Sequence, residues 1–411
     1  CIRDRVYTLP YIVKVHNIIL AAGEGSRMLS DKAKSLQQIG GHSMLSRIYE
    51  VASKVAETTT FVIGYDKNSL IDEFKTFKGN FNFSEQAKPL GTADAVKSSL
   101  SIIPDNSTVL VLYGDVPLIK ESTLKQLISN TEDSLAILTT VIDKPFGYGR
   151  VKKNDNGYAI SIIEEKDASE DERKIKEIFT GILCCKKDLL VSAVNAVKND
   201  NVANEYYLTD IVSIIAEKGY KIKTCIAPND EVKGANTKEE LLELENIYRS
   251  MKANELLNMG VTISDLSRID IRGNVEVGKD CCIDVNVILD GEVKLGNNVS
   301  IGPNSIIKDT EIGDNSNIEA FSHIVSSKIG KDCSIGPYAR LRPGTKLLSG
   351  SKVGNFVEVK KSTVGKSSKV NHLSYIGDSN LGSKVNIGAV SYTHLRAHET
   401  RGNLVCRLLL E

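Results

Sequence analysis

Net charge, long apolar runs and C-x-x-C pairs are all missing from this 411-residue chain. Its 52 Lys+Arg are balanced by 52 Asp+Glu, so no excess basic field exists to hold a polyanion. Nucleic acid and anionic membrane surfaces are therefore not expected partners. No apolar run approaches the ~20 residues needed to cross a bilayer, and Cys1-Ile2-Arg3-Asp4-Arg5 lacks the apolar core of a secretory signal. The eight cysteines fall at 1, 184, 185, 225, 281, 282, 333 and 406 without a C-x-x-C pair. That scatter argues against a disulfide framework or a zinc ribbon and suits a reducing compartment, so the expected location is cytoplasmic. The length leaves room for two domains, each able to bury a core.

Glycine marks where the architecture changes, with 14 in residues 1–259 and 17 in the shorter stretch 260–411. The first part alternates short apolar runs (17–20, 60–63, 109–112, 134–141) with segments whose apolar residues recur at three- and four-residue spacing (43–56, 122–129). Strand–helix alternation of this kind predicts an α/β, Rossmann-like domain with a largely parallel sheet, its ligands at the carboxyl ends of the strands. Residues 237–259 read as one helix closed by Gly260, a natural link.

Past Gly260 the apolar period becomes six: Ile271, Val277, Ile283, Leu289, Leu295, Ile301 and Ile307, then Ile312, Ile318 and Ile324, and so on to Leu381 and Ile387. At about 100° per residue a helix would turn its apolar face by about 240° at every repeat. A four-residue strand and a two-residue turn keep one face inward, which predicts a parallel β-helix with three hexapeptides per coil. An ordinary β-sandwich is the alternative. The expected domains are thus residues 15–236, a linker helix 237–260 and a β-helix 261–389. Residues 1–14 and 390–411 break both patterns and are expected to be a non-native or disordered leader and a non-native tail. His394 and His398 have helical metal-pair spacing but no further ligands, and a native C-terminal helix is the other reading of that tail.

The chemistry gathers after the first strand, in Leu20-Ala21-Ala22-Gly23-Glu24-Gly25-Ser26-Arg27-Met28. Small residues let backbone N–H groups nest an anion, and Arg27 and Lys34 add positive charge for phosphate oxygens. Met28 replaces the third glycine of a dinucleotide fingerprint, and no P-loop is present. Asp115, in Tyr113-Gly114-Asp115-Val116-Pro117-Leu118, stands where it could hold Mg²⁺ against phosphates or cap a helix. In Leu90-Gly91-Thr92-Ala93-Asp94, Gly91 permits close backbone approach and Thr92 a helix cap.

The order of these motifs, with Gly147-Tyr148-Gly149-Arg150, Glu164-Glu165-Lys166-Asp167 and Glu205-Tyr206-Tyr207-Leu208-Thr209-Asp210, resembles the sugar-1-phosphate nucleotidylyltransferases. With the hexapeptide half, residues 15–389 resemble the bacterial bifunctional N-acetylglucosamine-1-phosphate uridylyltransferase/glucosamine-1-phosphate N-acetyltransferases. The resemblance implies a left-handed β-helix, a homotrimer, and UTP and acetyl-CoA as co-substrates. It implies that Leu20, Ala21, Ala22, Gly23, Gln86, Gly91 and Thr92 bind the nucleotide, and that Arg27 and Lys34 hold the triphosphate. Asp115 and Asn236 would ligate Mg²⁺, and Gly149, Glu164, Phe179, Tyr207 and Thr209 would line the sugar. In the second domain it assigns Arg342, Lys360, Tyr375 and Asn386 to glucosamine 1-phosphate, His372 as general base, and Ala389 to acetyl-CoA.

The sequence departs from the family pattern at Ala33, at Lys88-Pro89, at Ala93-Asp94 and at Phe179, where a sugar-binding Asn is usual. An aromatic there loses a hydrogen bond, and the changes at 88–89 and 93–94 resemble relatives that use other nucleoside triphosphates, so another sugar 1-phosphate or nucleoside triphosphate is an alternative reading. A stand-alone acyltransferase and a non-catalytic scaffold are others, and both leave Arg27, Lys34 and Asp115 without a purpose. Because the hexapeptide pattern stops at Ala389, acetyl transfer is expected to be impaired.

Overall fold

The computed structural model describes residues 14–132, 134–201 and 204–389. The proposed leader and tail therefore lie almost wholly outside the described residues, as do His394 and His398. Two compact units emerge, one of residues up to 39 with 43–244, the other of 40–42 with 245 onward.

The first unit is built on a sheet in the order Lys223–Ile226, Leu135–Val141, Glu177–Lys186, Thr108–Tyr113, Val15–Leu20, Thr58–Ile63, Phe81–Glu85. Val15–Leu20 lies between Thr58–Ile63 and Thr108–Tyr113, parallel to both, and every one of its residues is buried. Its alternate side chains enter opposite cores. Ile19 joins Leu45, Phe61, Leu110 and Leu124, whereas Ile18 joins Val62, Val96, Val111 and Ile211. Burial on both faces is why these strands read as unbroken apolar runs instead of alternating ones. One helix, Met44–Ala52, starts on Ser43, whose side chain accepts from Ser46 N at 3.0 Å. Rings of Tyr49, Phe61 and Phe74 fill the space beside it, with Phe61 and Phe74 centroids 4.4 Å apart.

The sheet is more mixed than the alternation predicts. Glu177–Lys186 is antiparallel to both Leu135–Val141 and Thr108–Tyr113. It is preceded by an antiparallel pair, Arg150–Lys153 with Ala159–Ile163, instead of a crossover helix, so the chain re-enters the sheet from the opposite end. The four parallel strands 15–20, 58–63, 81–85 and 108–113 still place their carboxyl ends on one edge.

In the second unit, short strands stack in parallel register into three columns. Ile271, Leu289, Ile307, Ile324, Leu341, Val359 and Ile376 pair in succession. Ile283, Ile301, Ile318, Ile335, Val353, Val370 and Ile387 form a second column, and Val277 to Leu381 a third. All belong to or pack on one core, and each fully buried aliphatic contributes about 1.5–3 kcal/mol of transfer free energy. Corners are turned by residues in the left-handed region, many of them Asn or Asp, such as Asn286, Asn298, Asn304, Asn315 and Asp332. Those side chains tolerate that conformation best after glycine. Helix Lys238–Asn258 runs across the unit boundary, and its Ala253 and Leu256 join the β-helix core.

Candidate active site

The parallel strand ends open onto a cavity of about 300 Å³. Its wall includes Leu20, Ala21, Ala22, Gly23, Lys34, Gln86, Gly91, Thr92 and Asp115, nine of the residues singled out from sequence. Local hydrogen bonds hold the wall to the sheet: Ala21 N donates to Val62 O (2.9 Å), Gly114 N to Leu20 O (2.9 Å) and Gln86 N to Ile63 O (2.8 Å). Gly25, with φ +71°, lets the turn close on Lys34, since a Cβ there would lie 2.6 Å from Lys34 Cβ. Arg27 stays outside the cavity wall, exposed on the short turn Ser26–Met28.

Lys34 Nζ bonds to the carboxylate of Asp115 and donates to Asn236 Oδ1 at 3.0 Å. The three side chains come from separate parts of the first unit, and Ala235 N donates to Asp115 O at 3.3 Å, fixing the loop that carries Asn236. Asp115 is not a helix cap, because the next long helix, Glu121–Thr131, starts at Lys120. The two oxygens expected to hold Mg²⁺ thus already converge on one cation. Both are hard oxygen donors, which fits Mg²⁺ with water and phosphate oxygens completing the shell. Among the described residues no group of three or more His, Cys, Asp or Glu could hold a metal alone.

Thr92 behaves differently from the expected cap. Gly91 is the N-cap of helix Thr92–Ser99 and offers no side chain, so Thr92 Oγ1 is free to accept from Leu208 N at 2.9 Å. Tyr206 N donates to Leu90 O and Ala93 N to Tyr206 O (2.8 and 2.9 Å). Segment 205–208 is therefore the backing of the turn, a role no sequence motif announced. Tyr113 opens the run that carries Asp115 but has no role assigned from sequence; it is half-buried, lines the cavity and is bonded to Thr92. Burial raises its phenol far above the ordinary range, with Asp115 and Glu164 adding to the effect.

Tyr113 and Asp115 also line a second cavity of about 150 Å³, with Tyr148, Phe179, Thr180 and Asn236. Phe179 is only 6 % exposed and belongs to the apolar core beside Ile162, while its N–H donates to Gly149 O at 2.9 Å. It supplies an apolar wall where the family usually has an amide. Glu164 and Tyr207 flank further openings together. Burial raises the Glu164 carboxyl above the usual range, opposed by the hydroxyl of Thr209, which donates to its Oε1 at 3.2 Å. The structure therefore brings Gly149, Glu164, Phe179, Tyr207 and Thr209 into one neighbourhood.

In the β-helix, Arg342 donates to Glu358 Oε1 at 2.9 Å, and Lys360 lies 3.7 Å from the Asp378 carboxylate. Glu358 pairs with Tyr375, Asn355 with His372 and Lys369 with Asn386 on neighbouring coils. His372, Asn386 and Ala389 are exposed, and Arg342, Lys360 and Tyr375 are half-buried. Arg342, Lys360 and Tyr375 adjoin the column Leu341, Val359 and Ile376, whereas Asn386 adjoins Ile387 of the second column.

Residues 17–155 match the family model described as a MobA-like NTP transferase domain, and residues 292–326 match the bacterial transferase hexapeptide (six repeats). Among curated relatives, a bifunctional protein GlmU from Marinobacter nauticus is 42% identical over 94% of this chain and 86% of its own length. Another from Methylococcus capsulatus is 44% identical over 93% of this chain and 83% of its own. A third, from Burkholderia vietnamiensis, is 42% identical over 92% and 83%. With an NTP-transferase cavity at the strand ends, hexapeptide coils after it, and this identity along nearly the whole sequence, the chain belongs to the bifunctional GlmU family.

Proposed function

We propose that the strand-end cavity transfers the uridylyl group of UTP to N-acetylglucosamine 1-phosphate, giving UDP-N-acetylglucosamine and pyrophosphate. The observation that carries this reading is the convergence of Lys34, Asp115 and Asn236 where a cavity lined by residues 20–23, Lys34, Gln86, Gly91, Thr92 and Asp115 adjoins a second one lined by Asp115 and Asn236. In this family nucleotidyl transfer uses a divalent metal, and we assign Mg²⁺ to Asp115 and Asn236. When bound, it supplies charge neutralisation of the phosphates. Lys34 and Arg27 then hold triphosphate oxygens, and the small residues at 21–23 let the backbone approach. Gly149, Glu164, Tyr207 and Thr209 orient the sugar, with Phe179 as its apolar wall. An oxygen of the sugar phosphate forms a bond to the α-phosphorus of UTP as the α–β bridging P–O bond breaks. Pyrophosphate leaves with that electron pair. No covalent enzyme intermediate is required, and positioning with charge stabilisation carries the rate.

The hexapeptide unit carries the family's second activity, acetyl transfer from acetyl-CoA to glucosamine 1-phosphate. We assign Arg342 and Lys360 to the phosphate, Tyr375 and Asn386 to the sugar, and Ala389 to acetyl-CoA. His372 takes the proton from the amine as its nitrogen attacks the thioester carbonyl and the CoA thiolate departs. The boundaries 15–236, 237–260 and 261–389 serve as the working division. A homotrimer is the proposed assembly, supported by a ladder of stacked, half-exposed rings, Phe321, Tyr338 and Phe356, with centroids 4.9 and 5.1 Å apart. A cytoplasmic location is supported by the free thiols at 184, 185, 225, 281, 282 and 333. No helix among the described residues is long and apolar enough to cross a membrane.

The test is pyrophosphate release with Mg²⁺, UTP and N-acetylglucosamine 1-phosphate, beside dTTP and glucose 1-phosphate. Release with the first pair, reduced at least about 10²-fold in Asp115→Ala, is expected. Release confined to the other pair, or undiminished in the variant, refutes the assignment.

A further inference from the structure

Gln86 faces the nucleotide cavity, and what it offers a base depends on which end of its amide points outward. Its Nε2 donates to Gly91 O at 3.1 Å and to Asp94 Oδ2 at 2.9 Å. A backbone carbonyl and a carboxylate are both acceptors only, so the NH₂ end must be the one turned toward them. Both of its protons are then used, and the carbonyl oxygen Oε1 is the end left for the ligand. Asp94 itself is absent from the cavity wall. It occupies the first turn of helix Thr92–Ser99, where a carboxylate is favoured by the helix dipole. That position alone would explain an acid there but not its bond to Gln86.

We propose that Asp94 is a positioning residue that locks the Gln86 amide, so that the site shows a hydrogen-bond acceptor to the base and selects for an N–H donor on it. The inference rests on the uridylyl reading for the identity of that donor, the imide N3–H of uracil. Thymine has the same N–H. Cytosine has a bare acceptor nitrogen at that place, so it would set one lone pair against another. Gly91 O alone would leave one amide proton unpaired and the amide free to turn over, presenting NH₂ to cytosine.

The experiment measures equilibrium binding of UTP, dTTP and CTP, and pyrophosphate release with each, for the wild type, Asp94→Ala and Asp94→Asn. The expected result in Asp94→Ala is a fall of about tenfold in the UTP:CTP ratio. It should come through weaker UTP and stronger CTP binding, with the UTP:dTTP ratio and kcat nearly unchanged. Asp94→Asn keeps an acceptor oxygen for Gln86 but not the charge, and should recover most of the discrimination. A helix-start role predicts the opposite: an equal change for all three nucleotides, similar in Ala and Asn, and a UTP:CTP ratio that does not move. That pattern overturns the lock. Should the wild type prefer dTTP to UTP, the uridylyl reading falls by itself. The lock then stands if CTP stays disfavoured against both and Asp94→Ala removes that margin, and it falls if the wild type prefers CTP or the margin keeps its full spread.

Discussion

His16 lies in the central strand Val15–Leu20, 3 % exposed, with Nε2 2.8 Å from Thr60 Oγ1. Burial, reinforced by the Lys187 ammonium, pushes its imidazole down from the ordinary 6.5 to about 4. Above pH 6.5 the residue is neutral whether the chain is folded or not. As pH falls below that value the unfolded chain takes up a proton that the folded strand refuses, so stability is lost until about pH 4. Between pH 7 and pH 4.5 the loss amounts to about 2.5 kcal/mol. His16→Gln keeps a hydrogen-bonding group for Thr60 but cannot titrate. Other carboxylates titrate over the same interval in both proteins, so the difference between the two pH dependences isolates this imidazole. The assay is native-state hydrogen exchange resolved to peptides covering strands 15–20 and 58–63, expressed as protection relative to intrinsic rates at each pH. A whole-chain melt would mix the two units. The wild type should lose about 60-fold more protection in these strands than the variant does. Equal losses in the two proteins would refute the assignment of a buried neutral imidazole. The strand leads directly into the turn at Leu20, Ala21, Ala22 and Gly23, so the nucleotide cavity inherits whatever stability the strand has.

Two further substitutions probe the supports of the site and of the coils. At Gly91, φ is +121° and an added Cβ would lie 2.5 Å from Tyr206 O, so Gly91→Ala must push segment 205–208 away. Calorimetric titration with UTP should show at least about tenfold weaker binding, and wild-type affinity would mean the clamp is dispensable. In the β-helix, Ile318 is fully buried between Ile301 and Ile335. Ile318→Ala should cost about 2–5 kcal/mol, read as a lower unfolding temperature of the hexapeptide unit in scanning calorimetry. An unchanged transition would mean the column is not close-packed.

What the sequence made legible follows from how locally each feature is encoded. The β-helix was readable because one inward aliphatic per six residues is a one-dimensional rule, and the parallel register then stacks Ile283 on Ile301 on Ile318 with no further choice. Its slips to a 17-residue coil, as from Ile307 to Ile324, are visible as shifts in the same pattern. In the first unit the strands 15–20, 58–63 and 108–113 were readable because burial on both faces makes them continuously apolar. Glu177–Lys186 is absent from the strands read from sequence, and its direction depends on what the preceding segment does. There the chain folds back as the pair Arg150–Lys153 and Ala159–Ile163, and no crossover helix intervenes.

The same distinction runs through the site. Residues 20–23, Gly91, Thr92 and Asp115 sit in short runs whose chemistry can be read from neighbours in the sequence. Tyr113, segment 205–208 and the Gln86–Asp94 bond act only across space: Leu208 reaches Thr92 over 116 residues, and Lys34 reaches Asn236 over 202. A motif names the groups that meet the ligand, but the groups that orient them answer to a tertiary partner and can change identity as long as the partner is satisfied. Asp94 shows this. As a departure from the family pattern it looked like a change of nucleotide, yet an acceptor-only carboxylate beside Gln86 fixes the same outward carbonyl that a uracil N3–H requires.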